Sequence, residues 1–398
     1  MRNPVRDKAV APMRVAMFSQ DPNKLAREMV YEIGRRIGPC TFVAGMPDSY
    51  SDLHVPNVKY ILAPSYKRQT IKSRMGSWIA YTFLAMIRIL ILLRKTDLFV
   101  FITSPPYIGV LGVLAKVLAK KKYVLIVNDI YPDIVENFGM IRRDSLTSRA
   151  WRRLNRVVYD QAKWIITISE EMGKEISEQV SAGPSTNKVI VIPTWVDTKR
   201  IKPILKDDNP FAIEYHQRDK ITVLYAGNMG NAADVALLPK IAGFLEHDPR
   251  IHFLLVGRGE KAEYLKELIA DSGIKNTMML PYQPETVLPQ MLATADISLV
   301  ILNPHNKGKS APSKTYYYMA AGSALVVICA EDDALERMIR KHHCGLSVHS
   351  GDEAARAIER FVDDKAFLDQ CKGNSRKAAE MFFDKERCIS QFIEALMR

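Results

Sequence analysis

Short apolar runs alternate along this chain with longer stretches whose apolar residues recur at helical spacing, and the alternation restarts once near the middle. In the first half, Arg14–Phe18, Cys40–Val43, Val58–Leu62, Leu98–Ile102, Tyr123–Val127, Trp164–Ile168 and Lys188–Ile192 are predicted strands. In the second half, Thr222–Ala226, His252–Val256, Thr277–Leu280, Ile297–Val300, Ala324–Ile328 and Gly345–Val348 continue the series. Strands of this apolar kind, spaced by helical segments, predict parallel sheets covered on both faces. The predicted fold class is therefore α/β, with two Rossmann-like domains in tandem. A flexible start over residues 1–13 precedes a first domain over 14–200, a linker over 201–220 and a second domain over 221–380. Pro203, Pro210 and a mixed run of charges mark the linker. A length of 398 residues suits two or three domains with full cores.

Open sheets of this type bind ligands beyond the carboxyl ends of their strands. Three loops of the second half fall there. Tyr225-Ala226-Gly227-Asn228-Met229-Gly230 is a glycine-bearing turn after a strand, and Val256-Gly257-Arg258-Gly259-Glu260 is another that carries an arginine. The third is the most informative: Lys309-Ser310-Ala311-Pro312-Ser313-Lys314-Thr315-Tyr316-Tyr317-Tyr318-Met319-Ala320-Ala321-Gly322 reads as a polar loop, a short helix and a glycine stop. The first N–H groups of a helix have no partner within it and the dipole is positive there, which suits a diphosphate. Ser313 can cap or donate, and Lys314 adds a point charge. Taken alone, Pro-Ser-Lys is equally an ordinary N-cap with a solvated lysine. Three such loops in one domain favour the anion reading.

The first half offers Asn128-Asp129-Ile130-Tyr131-Pro132-Asp133 after the Tyr123–Val127 strand. Asp129 and Asp133 are placed to accept or orient the proton of a hydroxyl, although Asp129 also suits a turn cap beside Pro132. Ser104-Pro105-Pro106 is a rigid loop at the same edge, read either as a positioning element or as a structural turn.

Charge separates the halves. Residues 1–200 hold 31 Lys+Arg against 17 Asp+Glu, a net of +14, whereas residues 201–398 hold 25 against 27, a net of −2. An anionic partner of the first half is implied, and a membrane surface fits better than nucleic acid, since no zinc finger, aromatic RNA-binding signature or compact basic helix is present. Lys67, Arg68, Lys72 and Arg74 precede the 19-residue apolar stretch Met75–Leu93, and Arg94-Lys95 follow it. The stretch is long enough to span a bilayer. Spanning would carry Arg88 into hydrocarbon and remove a helix from the α/β layer. A helix resting on the membrane, with Trp78 and Tyr81 near its basic end, and a plain core helix are the other readings. Cys40, Cys329, Cys344, Cys371 and Cys388 form neither a disulfide framework nor a zinc pattern, and the basic N-terminus lacks the apolar segment of a secretory signal.

With these segments assembled, the chain resembles the retaining GT-B glycosyltransferases of family four, in particular bacterial enzymes of O-antigen, colanic-acid and exopolysaccharide assembly. The resemblance rests on YAGNMG, LLVGRGE, LPYQPETVLPQMLATADISLVIL and PSKTYYYMAAGSALVV in the second half, and on ITSPPYIGVLG and VLIVNDIYPDIVENFGMI in the first. It implies two domains facing across a cleft, with the C-terminal segment 381–398, helical over Phe382–Met397, crossing back to the first domain. It also implies that the second domain holds a nucleotide sugar, with UDP favoured, and that neither a metal nor another cofactor takes part. Carried onto this sequence, Gly227, Asn228, Gly257, Arg258, Ser313, Lys314 and Tyr317 contact the donor, and Tyr282 and Gln283 meet its base. Arg258 and Lys314 neutralise the diphosphate. Ser104, Asn128, Asp129 and Asp133 face the acceptor, Asp129 next to the reacting centre. The family's glutamate pair falls on Lys309 and Tyr317, so neither carboxylate is present.

These readings converge on an expectation. A glycosyltransferase on the inner face of the cytoplasmic membrane moves a sugar, with retention, from a nucleotide diphosphate to a polyprenyl-diphosphate-linked or other glycan. Bacterial surface polysaccharide synthesis is the setting. A nucleotide-sugar epimerase of the same fold, and a non-catalytic scaffold of a polysaccharide assembly complex, are the alternatives.

Overall fold

A computed structural model of the chain describes residues 12–45, 55–67, 69–137, 139–181, 187–230, 234–303 and 312–398. The chain divides into two compact units, Met1–Ile192 together with Ile389–Arg398, and Pro193–Cys388.

The first unit is built on β1 (Val15–Ser19), β2 (Cys40–Ala44), β3 (Val58–Leu62), β4 (Leu98–Ile102), β5 (Lys122–Val127), β6 (Trp164–Thr167) and β7 (Val189–Val191). They form one parallel sheet in the order β3-β2-β1-β4-β5-β6-β7. The central strands β1 and β4 are buried along their whole length, while the edge strands β3 and β7 are only partly so. The two central strands are apolar apart from Ser19 at the end of β1, as expected where helices cover both faces of a sheet. The order reverses between β1 and β4, which pair from Val15↔Leu98 to Phe18↔Phe101. A ligand crevice is expected at the carboxyl end of that reversal.

The helix Ile71–Leu92 on this sheet explains the long apolar stretch. Thr70 and Ser73 form a capping box at its start. Ser77, Tyr81, Ala85 and Ile89 recur every four residues and are buried, and Tyr81 donates its hydroxyl to the Val43 carbonyl at 2.8 Å. The opposite face is also apolar but faces outward: Met75, Ile79, Phe83, Ile87, Leu90 and Ile91 are exposed, Ile79 at 63% and Phe83 at 61%. One stripe of this helix is therefore core, and the other is an unusually greasy surface.

The second unit repeats the plan with β8 (Ile221–Asn228), β9 (Ile251–Arg258), β10 (Thr277–Pro281), β11 (Ile297–Ile301), β12 (Ala324–Ile328) and β13 (Gly345–Val348). Its parallel order is β10-β9-β8-β11-β12-β13, reversing between β8 and β11. Alternate residues of β8 enter different cores: Val223 and Tyr225 one, Leu224 and Ala226 the other.

Two segments differ from the sequence reading. Residues 201–220, read as a linker, are packed into the second unit, with Phe211 buried in its core and Asn209 donating to the Gln290 carbonyl at 2.8 Å and to the Thr294 hydroxyl at 3.0 Å. Within them the Lys206 ammonium pairs with Asp296 and donates to the Thr222 hydroxyl at 3.0 Å. Proline and charge mark a chain that makes no long helix, and they do not tell whether it is packed. At the C-terminus the helix Lys365–Phe382 stops before a separate helix, Lys385–Met397. That last helix begins in the second unit and ends in the first. There Ser390 accepts from Arg36 at 2.9 Å, and the Leu396 carbonyl accepts from Lys163 at 3.4 Å.

Candidate active site

The carboxyl ends of β8 and β9 stay paired further than the glycines suggested, to Gly227↔Gly257 and Asn228↔Arg258. Such close approach requires glycine. A Cβ on Gly257 would lie 2.0 Å from the Gly227 carbonyl oxygen, and one on Gly259 would lie 2.5 Å from that of Met229. Gly227 adds a φ of +135°, a region that side chains other than glycine rarely enter. The ends are then locked by Met229 N–H donating to the Arg258 carbonyl at 2.9 Å and Lys261 N–H donating to the Met229 carbonyl at 2.9 Å.

The short helix Lys314–Ala320 lies against this edge. Tyr318, 1% exposed, accepts from the Ala226 N–H at 2.8 Å and donates to the Ala226 carbonyl at 2.9 Å, so one hydroxyl joins helix to strand. One turn earlier, the Lys314 ammonium stands 3.9 Å from the centre of the Tyr225 ring. Its Cδ is 3.8 Å from where a side chain on Gly227 would begin, so that glycine leaves the ammonium its place. Burial pushes the Lys314 ammonium down to about 8. The Tyr225 hydroxyl, pushed up to about 12 by burial, stays neutral and donates to the Asn228 carbonyl at 3.1 Å.

Arg258 and Tyr282 meet at the next loop, the guanidinium 4.6 Å from the ring centre and the tyrosine 54% exposed. Gln283 donates to the Pro281 carbonyl at 2.9 Å. Gly227, Asn228, Gly257, Arg258, Tyr282, Gln283 and Lys314 thus lie on neighbouring loops at one sheet edge.

The helix start differs from the capping pattern. Ser313 has φ −55° and ψ −30° and makes no side-chain cap. Thr315 N–H donates to the Pro312 carbonyl at 3.0 Å, and Tyr316 N–H to that of Ser313 at 3.1 Å. Two amides expected to face an anion are therefore engaged in a tight first turn, and the Lys314 charge becomes the larger attraction. Tyr317, on the same helix, is half-buried. Lys309 lies outside the described residues.

In the first unit, Ser104 follows β4, and Asn128 and Asp129 follow β5, at one edge. The Ser104 carbonyl accepts from Gln20 N–H at 3.0 Å. Asp129 is exposed at the mouth of a pocket whose walls crowd its carboxyl and raise it above the usual aspartate value. Asp133 is placed differently. Its carboxylate is held by both Arg152 Nη atoms at 3.0 Å, and Glu136 takes a further bond from the same guanidinium at 2.7 Å. A carboxylate so engaged ties the helix that carries Arg152 to the segment after β5. Among the described residues no group of three or more His, Cys, Asp or Glu is arranged to hold a metal ion.

Sequence reasoning overlooked Tyr225 and Tyr318, which build the lysine's platform and tie. Tyr318 lies four residues after Lys314, and that helical spacing was the available signal. That its hydroxyl meets Ala226 of the Thr222–Ala226 run was not readable.

Residues 207–378 match the family described as glycosyl transferases group 1. The match lies within the second unit, Pro193–Cys388. The chain is 23% identical over 306 residues to the probable glycosyltransferase WbjE of Pseudomonas aeruginosa, covering 77% of this chain and 75% of that protein. Among solved structures it is similar to Anabaena HepE in complex with UDP, with a TM-score of 0.71 at 15% identity over 97% of this chain and 99% of that one. It is also similar to WaaG, a glycosyltransferase involved in lipopolysaccharide biosynthesis, with a TM-score of 0.63 at 12% identity over 95% and 99%. The two parallel-sheet units are thus those of the GT-B fold, and the protein is a glycosyltransferase.

Proposed function

We propose that the second unit binds a UDP-sugar and that its sugar passes, with retention at C1, to a glycan carried on a polyprenyl diphosphate during bacterial surface polysaccharide synthesis. The observation that carries the donor half is the Lys314 ammonium, held on the Tyr225 ring beside Gly227 at the edge where the strand order reverses. Arg258 supplies a second cation at the same edge, and Tyr282 and Gln283 offer a surface for the base. HepE, of the same fold, holds UDP. As the bond from C1 to the phosphate oxygen breaks, negative charge grows on the departing UDP, and fixed cations favour that state over the ground state. These cations supply the charge that a divalent ion would otherwise bring, and we propose that no metal is required. Asp129 orients the acceptor hydroxyl and takes its proton as the hydroxyl oxygen forms the new bond to C1.

The lysine makes the reading testable by pH. Its buried ammonium loses its proton near pH 8, whereas a bound diphosphate favours the charged form. UDP affinity is therefore level below about pH 8 and falls above it by up to about tenfold per pH unit, with proton uptake on binding. Calorimetric titrations in EDTA-containing buffers across pH 6.5–9.5 measure this, and Lys314→Arg removes the basic limb. An affinity that is flat through pH 9.5 contradicts the assignment.

The outer stripe of the helix Ile71–Leu92 supports a lipid-borne acceptor. Ile79 and Phe83 project from the basic half of the chain, residues 1–200 with a net +14, which suits the anionic inner face of the cytoplasmic membrane. Because Tyr81, Ala85 and Ile89 are core, the helix lies along that surface and does not cross it. Flotation with phosphatidylglycerol vesicles is expected to carry the protein at low salt and to lose it at high salt. Phe83→Glu weakens that binding at least about tenfold, on the scale of one large apolar side chain leaving lipid. Equal flotation of wild type and Phe83→Glu would contradict it.

A further inference from the structure

The helix that carries Lys314 is too short to fix its own place. Lys314–Ala320 has seven residues and no side-chain cap at its start, so packing decides where it lies. One tie is the Tyr318 hydroxyl on Ala226 of β8. The second is at its end. Past the last turn the chain returns N–H groups to three carbonyls: Ala321 donates to Tyr317 at 3.0 Å, Ser323 to Tyr318 at 3.1 Å and Gly322 to Met319 at 3.0 Å. The Ala320 carbonyl, one of the acceptors that a helix end leaves open, takes its bond from the Arg376 guanidinium at 2.6 Å.

Arg376 stands on the helix Lys365–Phe382, and every nitrogen of its fork is used. Nη1 also donates to the Ile201 carbonyl at 2.8 Å, Nη2 to the Thr198 carbonyl at 3.0 Å, and Nε to Glu380 at 2.8 Å. Thr198, Ile201 and Ala320 are buried, so loss of the guanidinium leaves their carbonyls without this donor in a dry place. A planar, permanently charged fork suits three carbonyls drawn from two segments, and a cation at the end of a helix meets the negative end of its dipole. Two further contacts support the same helix. The Tyr316 ring packs on Phe383 at 4.6 Å. Gly322, with a φ of +77°, lets the closing turn approach Pro203, whose Cγ would lie 2.8 Å from a Cβ there.

We infer that Arg376 is a positioning residue for the donor chemistry: by holding the Ala320 end of the helix to residues 198–201, it sets how deeply the Lys314 ammonium is buried on the Tyr225 ring. The inference rests on the donor reading above and adds a residue that acts on the diphosphate through the helix. Lys314 and Ala320 are the two ends of a rod of about two turns, with the Tyr318 tie between them. Release of one end lets the rod tilt about that tie and moves the other.

The tilt has a signature. Burial is what lowers the hold of Lys314 on its proton, and burial also keeps the hydroxyls of Tyr225, beneath it, and Tyr318, on the same helix, neutral. A loosened helix exposes the ammonium to water and moves its titration up toward the ordinary lysine range. Because a bound diphosphate favours the charged form, the pH above which UDP affinity falls then moves up as well.

The test is calorimetric titration of the whole protein with UDP in EDTA-containing buffers across pH 6.5–9.5, comparing wild type, Arg376→Ala and Arg376→Lys. At neutral pH Arg376→Ala is expected to bind UDP about tenfold more weakly, since the charge is no longer held where the diphosphate needs it. The pH at which affinity starts to fall moves up by about one unit. The curves of variant and wild type therefore draw together above about pH 8.5, which a general loss of stability does not produce. Arg376→Lys, with one donor centre in place of a fork, shows the same upward move to a smaller extent, and it decides the matter where the alanine variant unfolds. Thermal unfolding is recorded for all three. Folded variants whose affinity starts to fall at the wild-type pH or below it, even with a lowered Tm, overturn the inference and leave the donor reading standing. A wild-type affinity that is flat through pH 9.5 overturns the donor reading and the inference with it.

Discussion

Lys314→Ala is expected to lower kcat by about 10²–10³-fold, the size of effect seen when one group that stabilises developing charge is removed. The buried ammonium on the Tyr225 ring is close to where the leaving diphosphate is proposed to sit, and it is oriented before any ligand arrives. Its attraction grows as the glycosidic bond breaks, so kcat falls more than affinity for the donor. Lys314→Arg keeps the charge but not the compact shape that fits beside Gly227, and it recovers part of the rate. Steady-state kinetics with a UDP-sugar separates these outcomes. A loss confined to KM would mean that the lysine holds the donor without favouring its departure.

Gly257→Ala is expected to be the most disruptive single methyl in the second unit. Its Cβ would sit 2.0 Å from the Gly227 carbonyl oxygen, a backbone atom that yields only if the paired ends of β8 and β9 separate. Overpacking of that kind costs about 3 kcal/mol. For a unit of this size it corresponds to a Tm lower by about 6–10 °C. UDP binding weakens as well, because the separated strand ends carry Asn228 and Arg258. Gly373→Ala is the control. It lies inside the helix Lys365–Phe382 with nothing within 4 Å of its new methyl, and its Tm is expected to hold or rise slightly. Thermal unfolding with and without UDP measures both variants.

The fold was legible because its central strands are buried on both faces and its edge strands keep enough apolar residues to continue the pattern. Val58–Leu62, Leu98–Ile102, Ala324–Ile328 and Gly345–Val348 run as their apolar composition predicted, and most other strands differ by a residue at an end. β8 and β9 ran past the reading. Glycine and asparagine signal a turn, and only the partner strand shows that Gly227 and Asn228 remain in the ladder. The segment 201–220 was misread for a related reason: Phe211 is one apolar residue among charges, and its burial depends on a core elsewhere in the chain.

The candidate site was legible in its loops and not in its contacts. Lys314, Arg258 and the glycines stood out by residue type and position. The ring beneath the lysine, the Tyr318 hydroxyl on Ala226 and the two first-turn amides already engaged are consequences of packing between elements far apart in sequence. Asp133 illustrates the converse. An acidic residue after a strand end suggests chemistry, yet Arg152, on a later helix, takes up its carboxylate.

A crystal structure of the protein with UDP bound tests the central claim most directly. The expected electron density places the diphosphate within hydrogen-bonding distance of the Lys314 ammonium and beside the Gly227–Asn228 backbone, with the base near Tyr282. Phosphates bound away from these three loops, with Lys314 still resting on the Tyr225 ring, would contradict it.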